Sequence, residues 1–549
     1  MVKNIFLILT ARQTSILSAA TIIMATVILA KILGLIRDRL LAHTFTPDTV
    51  AIFFAAFRLP DFVFQLLILG ALSVAFIPVF TEVIERDGKD EAFKLAQSIL
   101  SLALMLLAVV TTLIYIFAGP LTALIVPGFT EEQQAQVVSL TRMILLGQII
   151  LTVGSFFVGI LQSFQRFIIP AFAGVVYNLG IILGIIFFSP GFGVMGAAIG
   201  VLIGAAFHVL IQFSLVYQLG FRVNKSFTFI HAGVKEIIRL MSMRTLGLAA
   251  EQINETVGVI LASLISTASV TYLTFSQHLQ VVPISLFGAT LAQAALPILS
   301  SERARGGLEE FKLTLLTTMH QILFLSLPAT AILIILRIPA VRLVFGASQF
   351  DWPSTVLTGK TLGFLAVGLA AQAVSLLLVR GFYALKDTKT PVLISFIVVA
   401  TNIILSVYFV QFLHLEVWGL GFALSVSNIL STVLLFSSLH FKIGGFGMKL
   451  VLIPFCKMLL ATVIMAGTLY IPIKLLDQVI FDTTRTINLI ILTGLAAIFA
   501  LSVYLVLVWL MKVTELSTFL NLYKNIFGKL RQAGSQVKPE EIIHGPEGL

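Results

Sequence analysis

Apolar runs of about twenty residues, separated by short polar stretches, recur from one end of the chain to the other. A run of that length crosses the ~30 Å hydrocarbon core of a bilayer as an α-helix. Strands of a membrane barrel would alternate apolar and polar residues over about ten positions, and these runs do not alternate. The pattern predicts fourteen spans, at residues 14–36, 51–81, 92–125, 138–162, 167–188, 194–218, 237–264, 270–299, 311–336, 356–384, 390–412, 417–440, 449–476 and 486–510. Pro and Gly fall inside several of them, which membrane helices tolerate when neighbours satisfy the freed backbone groups. Residues 1–12 read as an interfacial lead-in and not as a removed signal. From Lys512 onward, Leu516, Phe519, Leu520, Tyr523, Phe527 and Leu530 recur at a spacing of three to four, with Lys524, Lys529 and Arg531 between them. That is the pattern of a basic amphipathic helix lying on the inner leaflet, followed by a disordered end over 533–549.

Composition agrees with this class: of 549 residues, 58% are hydrophobic and 11% charged, as in an all-α polytopic membrane protein. The net charge of +10 belongs first to topology. With basic residues near a span's end counted with the adjoining loop, Lys and Arg divide 24 to 8 between the two sides of the predicted spans, and Lys31, Arg58 and Lys457 are assigned to neither side. The bias places both termini in the cytoplasm. Basic residues are dispersed among loops, so a nucleic-acid partner is not expected. A lone Cys456 excludes an internal disulfide and a cysteine metal cluster. No metal cluster or nucleophile–base pair stands out, so the chain does not read as an enzyme.

Two halves of the chain echo each other. LILGALSVAFIPVFTE (67–82) matches SLFGATLAQAALPILSSE (285–302), GILQSFQRFIIPAF (159–172) matches GFYALKDTKTPVLI (381–394), and GVMGAAIG (193–200) matches EVWGLGFA (416–423). Gly70 pairs with Gly288, Pro78 with Pro297, Pro170 with Pro391 and Gly196 with Gly419, at offsets of 218 to 223. The repeat is six spans long. An even number inserts both copies the same way up, related by a pseudo-two-fold along the membrane normal, with a substrate path between them. The expected organisation is an N-terminal lobe over 1–220, a second lobe over 221–443, two extra spans over 444–511 and a cytoplasmic tail over 512–549.

Polar groups inside the spans are the candidate chemistry, since a charge at mid-bilayer costs about 2.5–3.5 kcal/mol on insertion scales. The first two spans carry or border on Lys31, Arg37, Asp38, Arg58 and Asp61. Lys31 and Arg37 are six residues apart, about 240° around a helix, so they share a face only if the helix bends near Gly34. Arg58 precedes Leu59-Pro60 and could instead cap carbonyls of a broken helix. In LGLAAEQINETVGVILASL, Glu251 and Glu255 stand at i, i+4, on one face. Two acids there repel unless one is protonated or a cation lies between them, which makes them candidates for coupling to Na+ or H+. His278 is a candidate titrating group. Asn178 and Asn402 suit interhelical hydrogen bonding. No other cofactor is implied; the membrane potential is the alternative source of drive.

KILGLIRD, FFAAFRLPDF, LGALSVAFIPVF, VPGFTEE, QRFIIPAF followed by Asn178, and RGFYALKDTKTPV together resemble the MurJ/MviN family. These are lipid II flippases of the multidrug/oligosaccharidyl-lipid/polysaccharide exporter superfamily. The resemblance implies fourteen helices in two six-helix lobes, a bacterial inner-membrane location, and a monomer acting among membrane lipids. The implied substrate is undecaprenyl-diphosphate carrying the peptidoglycan disaccharide-pentapeptide, moved by alternating access for cell-wall synthesis. It implies that Arg37 and Asp38 are the family's Arg-Asp pair. Lys31 stands at a cavity arginine, as do Phe64 and His278, while Leu69 and Val281 stand at glutamates. The substrate-binding candidates are therefore Lys31, Arg37, Asp38, Arg58 and His278. Two other readings are a flippase for another polyprenyl-diphosphate-linked glycan and an ion-coupled small-molecule antiporter. A fourth is a scaffold that does not transport.

Overall fold

The computed structural model describes residues 16–69, 76–222, 232–476 and 486–519. Among them the backbone is helical with no strand. In the first copy of the repeat, α1 (Ile16–Thr44), α2 (Pro47–Phe64), α3 (Ile77–Asp87), α4 (Lys89–Ile116), α5 (Ala118–Ile125), α6 (Glu131–Ser163), α7 (Ile168–Leu183) and α8 (Val194–Gln218) follow in order. The second copy runs α9 (Ala232–Ile265), α10 (Thr267–Pro283), α11 (Thr290–Ala304), α12 (Leu308–Ile335), α13 (Arg337–Phe345), α14 (Trp352–Val367), α15 (Leu369–Ala384), α16 (Lys389–Val407) and α17 (Trp418–Lys442). Then come α18 (Met448–Leu476) and α19 (Thr486–Leu510).

Twelve described helices are long and apolar enough to cross a membrane, and the bent pair α14–α15 makes a thirteenth. The remaining expected span, the first, lies on α1, whose residues 16–36 contain one charge, Lys31. The tenth span, expected as one straight helix, bends by 45° between α14 and α15. Gly368 sits at the break. Its N–H donates to Ser425 Oγ, and a Cβ there would fall 2.7 Å from Ser425 Cα. The third span also breaks, at Phe117. The lead-in 1–12, the Gly70 end of the first repeat match and the tail beyond Phe519 lie outside the described residues.

The repeat extends to local backbone detail. A five-residue π turn, Gln65–Leu69, follows α2, and a six-residue one, Ile284–Ala289, follows α10. A second pair, Gly184–Phe188 and Tyr408–Phe412, ends α7 and α16. Gln165 and Lys386 both adopt positive φ, at 59° and 57°, in the matching turns before α7 and α16. Thr130 and Asp351 cap the matching starts of α6 and α14 by accepting from backbone N–H groups of the first turn. Such caps satisfy donors that the helix itself leaves open.

Packing between the copies is concentrated at one end. One apolar cluster joins Leu41, Val50, Phe53 and Ile185 of the first copy to Leu261, Phe275, Phe345 and Leu420 of the second. Around it, Thr271 Oγ1 donates to the Pro47 carbonyl (2.7 Å) and Thr267 Oγ1 to Gln133 Oε1 (3.0 Å). Arg39 donates to the Leu343 and Val344 carbonyls at the end of α13 (2.7 and 3.1 Å). Toward the other end the apolar clusters separate. One belongs to the second copy with α18 and α19, the other to the first copy. Val234 and Ile237 at the start of α9 join the latter, so α9 leans across the gap.

Candidate functional site

The separation of the copies leaves a cavity of about 160 Å³ lined by Lys31, Gly34, Arg37, Asp38, Asn178, His278 and Val281, among others. Lys31 and Arg37 both face it, so the 240° spacing on an ideal wheel does not keep them apart. Asp38 is its anchor. The residue is 1% exposed, and a carboxylate buried that deeply must be paired. Arg37 supplies two hydrogen bonds to Oδ1, from Nε (2.9 Å) and Nη2 (2.7 Å). His278 Nδ1 lies 2.7 Å from Oδ2. Arg37 belongs to α1 and His278 to α10, so Asp38 bridges the two copies of the repeat. Arg37 Nη1 also donates to Asn178 Oδ1 (3.3 Å), and Asn178 Nδ2 donates to the Gly174 carbonyl (3.0 Å). Phe54 sets its ring edge-on to His278, 5.7 Å between centroids.

A second, apolar cavity of about 50 Å³ shares Lys31, Leu35 and Val282 with the first and continues along Val27, Ile28, Ile32, Ser285 and Leu286. It therefore runs between α1 and the π turn after α10. A polar chamber and an apolar slot meet at the Lys31 side chain.

Arg58 lies in a separate polar group, not on the wall of the polar cavity. Its Nη2 is 2.9 Å from both Gln252 Oε1 and Glu255 Oε2. Arg58 thus pairs with α9 across the copies and caps no carbonyls of its own helix. The cation that the Glu251–Glu255 spacing called for is, at Glu255, this guanidinium. Glu251 is exposed one turn away on the same helix. Asp61, one turn beyond Arg58, accepts from Gln148 Nε2 (3.0 Å), and Asn402 Nδ2 donates to Asn254 Oδ1 (2.7 Å). Phe64 is buried among apolar side chains of the first copy. Leu69 closes the π turn after α2. Gln148 escaped the sequence reading because an amide in a long apolar helix carries no charge signal. Its 3% exposure becomes informative only once the fold puts Asp61 beside it. Among the described residues no His, Cys, Asp or Glu cluster is placed to hold a metal ion.

A family model described as lipid II flippase MurJ matches residues 41–508. The chain is 25% identical to a protein of Burkholderia cenocepacia named lipid II flippase MurJ, over 67% of this chain and 73% of that one. It is 29% identical to a protein of Bdellovibrio bacteriovorus named "Probable lipid II flippase MurJ", over 72% and 76%. Among solved structures, a lipid II flippase MurJ in an inward closed conformation superposes with a TM-score of 0.73 at 23% identity, over 88% of this chain and 98% of the other. An inward-facing multidrug transporter of the MOP superfamily superposes at 0.65, with 16% identity over 77% and 98%. These two likenesses are of fold. The family match covers most of the sequence, and on it the chain belongs to the lipid II flippase MurJ family.

Proposed function

We propose that this protein flips lipid II, the polyprenyl-diphosphate-linked precursor of peptidoglycan, from the inner to the outer leaflet of a bacterial cytoplasmic membrane. The observation that carries the reading is the cavity between the two copies, where Lys31, Arg37 and His278 surround a buried carboxylate. A lipid-linked diphosphate has an anionic head and an apolar tail. The polar chamber fits the first and the slot between α1 and α10 fits the second. The spacing of Lys and Arg along the chain puts both termini in the cytoplasm. On that orientation the packed end faces outward and the cavity opens toward the substrate's source. Arg37 and Lys31 attract the diphosphate, and rocking of the two lobes, biased by the membrane potential, exposes it on the far side. One chain contains the whole path, so the protein acts as a monomer. Arg58–Glu255 and Arg37–Asp38–His278 are among the polar links between lobes that this motion rearranges.

The test is made in cells whose own lipid II flippase can be shut off. Expression of the chain restores outer-leaflet lipid II, and Arg37→Ala lowers it at least tenfold at equal membrane abundance. Failure of the parent chain to restore it, despite full membrane expression, overturns lipid II as the substrate and leaves another lipid-linked glycan.

A further inference from the structure

The charge of the polar cavity is not fixed. Lys31 and Arg37 bring two positive charges to its wall and Asp38 removes one. With a neutral imidazole at His278 the wall sums to one positive charge; with an imidazolium it sums to two. A diphosphate esterified at both ends, as between a polyprenol and a sugar, carries two negative charges and no proton that titrates near neutrality. The wall balances it only when His278 is protonated. The geometry fits this use. Nδ1 is engaged on Asp38 Oδ2, and the side chain is 33% exposed on the cavity wall. The ring's second nitrogen, Nε2, is a lone-pair acceptor when neutral and a donor when protonated. A neutral ring turns a lone pair toward phosphate oxygens, whereas a protonated ring gives them a charge-assisted hydrogen bond.

We propose that His278 makes anion capture proton-linked: the cavity takes up one proton from water, held on the imidazole, together with each diphosphate diester. This rests on the lipid-linked diphosphate reading and adds the state of the site that binds it. The charged groups that line the cavity with the ring are Lys31, Arg37 and Asp38, all on α1. Phe54 of α2 packs edge-on to it, and Arg58 and Asp61 of that helix are engaged elsewhere, Arg58 on Gln252 and Glu255 of α9 and Asp61 on Gln148. The contacts of α10 with α14 run through Tyr272, Ser276 and Gln280. Ser276 and Gln280 lie about 200° around the helix from residue 278, so α14 does not reach the ring through them. Asp38 stays paired with Arg37 in either state, so proton uptake leaves the buried carboxylate satisfied.

The experiment uses the purified full chain in nanodiscs of zwitterionic lipid, with dansyl-labelled lipid II bearing a shortened prenyl chain as the probe. Fluorescence anisotropy gives Kd between pH 6 and pH 8, on both sides of neutrality. The parent is expected to lose at least fivefold in affinity as pH rises across it. His278→Arg, which fixes the charge, stays within twofold over the same range, and His278→Gln binds weakly at every pH. A parent profile as flat as that of His278→Arg overturns the proposal, as does a His278→Gln variant that keeps the parent's slope. If none of the three binds the probe at any pH while all elute as monodisperse protein, the diphosphate reading itself fails.

Discussion

Arg58 and Glu255 decide between two accounts of the acidic pair on α9. If Glu255 carries a coupling ion, it must keep its carboxylate whatever happens to Arg58. If it serves as the counter-charge of Arg58, the two are needed only together. Removing one partner of an ion pair strands the other, which costs about 3–5 kcal/mol when the pair is buried; Glu255 is 43% exposed, so the penalty here is smaller. Arg58→Gln and Glu255→Gln should each lower outer-leaflet lipid II at least fivefold. The double variant should recover most of the loss, because two amides can hydrogen-bond each other without a stranded charge. A double variant as inactive as the worse single one would return Glu255 to ion coupling. The charged residues were legible as candidates because charge inside an apolar run has few bland explanations. Their partners were not. Glu255 and Arg58 are 197 positions apart, and nothing in the local pattern of either helix names the other. The same holds for Asp38 and His278, 240 apart. Phe64 illustrates the opposite case. Its place among apolar neighbours matches what its side chain alone would suggest.

At the scale of elements, the apolar runs foretold the helices well, since each expected span falls on a helix or on consecutive helices. The π turns and the bend at Gly368 were hidden, because both depend on a neighbour's shape and not on periodicity. Small residues in α7 and α8 are a further case. A Cβ on Gly184 would lie 2.3 Å from Gly200 Cα, and one on Gly180 would lie 2.2 Å from Gly204 Cα. The two backbones touch, as small residues allow membrane helices to do. Gly184→Leu should therefore push the helices apart and destabilise the first lobe by about 1–3 kcal/mol or more, the usual range for overpacking. Gly191→Leu is the matched control, since a Cβ at Gly191 would meet nothing within 4 Å. Thermal unfolding in detergent should separate the two by several degrees. The turn between α15 and α16 depends on charge instead. Partial burial acts against ionisation of Asp387, but hydrogen bonds from Lys442 and from the hydroxyl and backbone N–H of Thr390 hold its carboxyl down to about 2. A carboxyl depressed in the folded protein stabilises above its unfolded pKa of about 4 and loses that contribution as pH falls toward 2. Asp387→Asn should remove this part of the acid sensitivity, measured as a smaller drop in melting temperature between pH 5 and pH 3.

The whole molecule is poised by where its two copies touch. Alternating access requires the packed end to open, so the contacts there set the balance between states. One of them is backbone against backbone: a Cβ on Gly128, in the loop after α5, would lie 2.0 Å from the Ser263 carbonyl oxygen at the end of α9. No rotamer relieves that overlap, because neither atom belongs to a flexible side chain. Gly128→Leu is incompatible with the closed arrangement, yet it touches no residue of the cavity wall. It should shift the population toward states in which this end is open, without abolishing binding of the probe. Spin labels on Glu131 and Gln349, both exposed and on opposite copies, report the separation in a Cys456→Ser background. The parent should give one short distance, and Gly128→Leu a longer or broadened one together with loss of flipping, since a flippase held open at one end cannot reload at the other. An unchanged distance distribution would mean that the loop carrying Gly128 moves aside on its own. The closed end would then be held by Arg39 on the α13 carbonyls and by Phe54 set edge-on to Phe275 across the copies, at 5.7 Å between ring centroids.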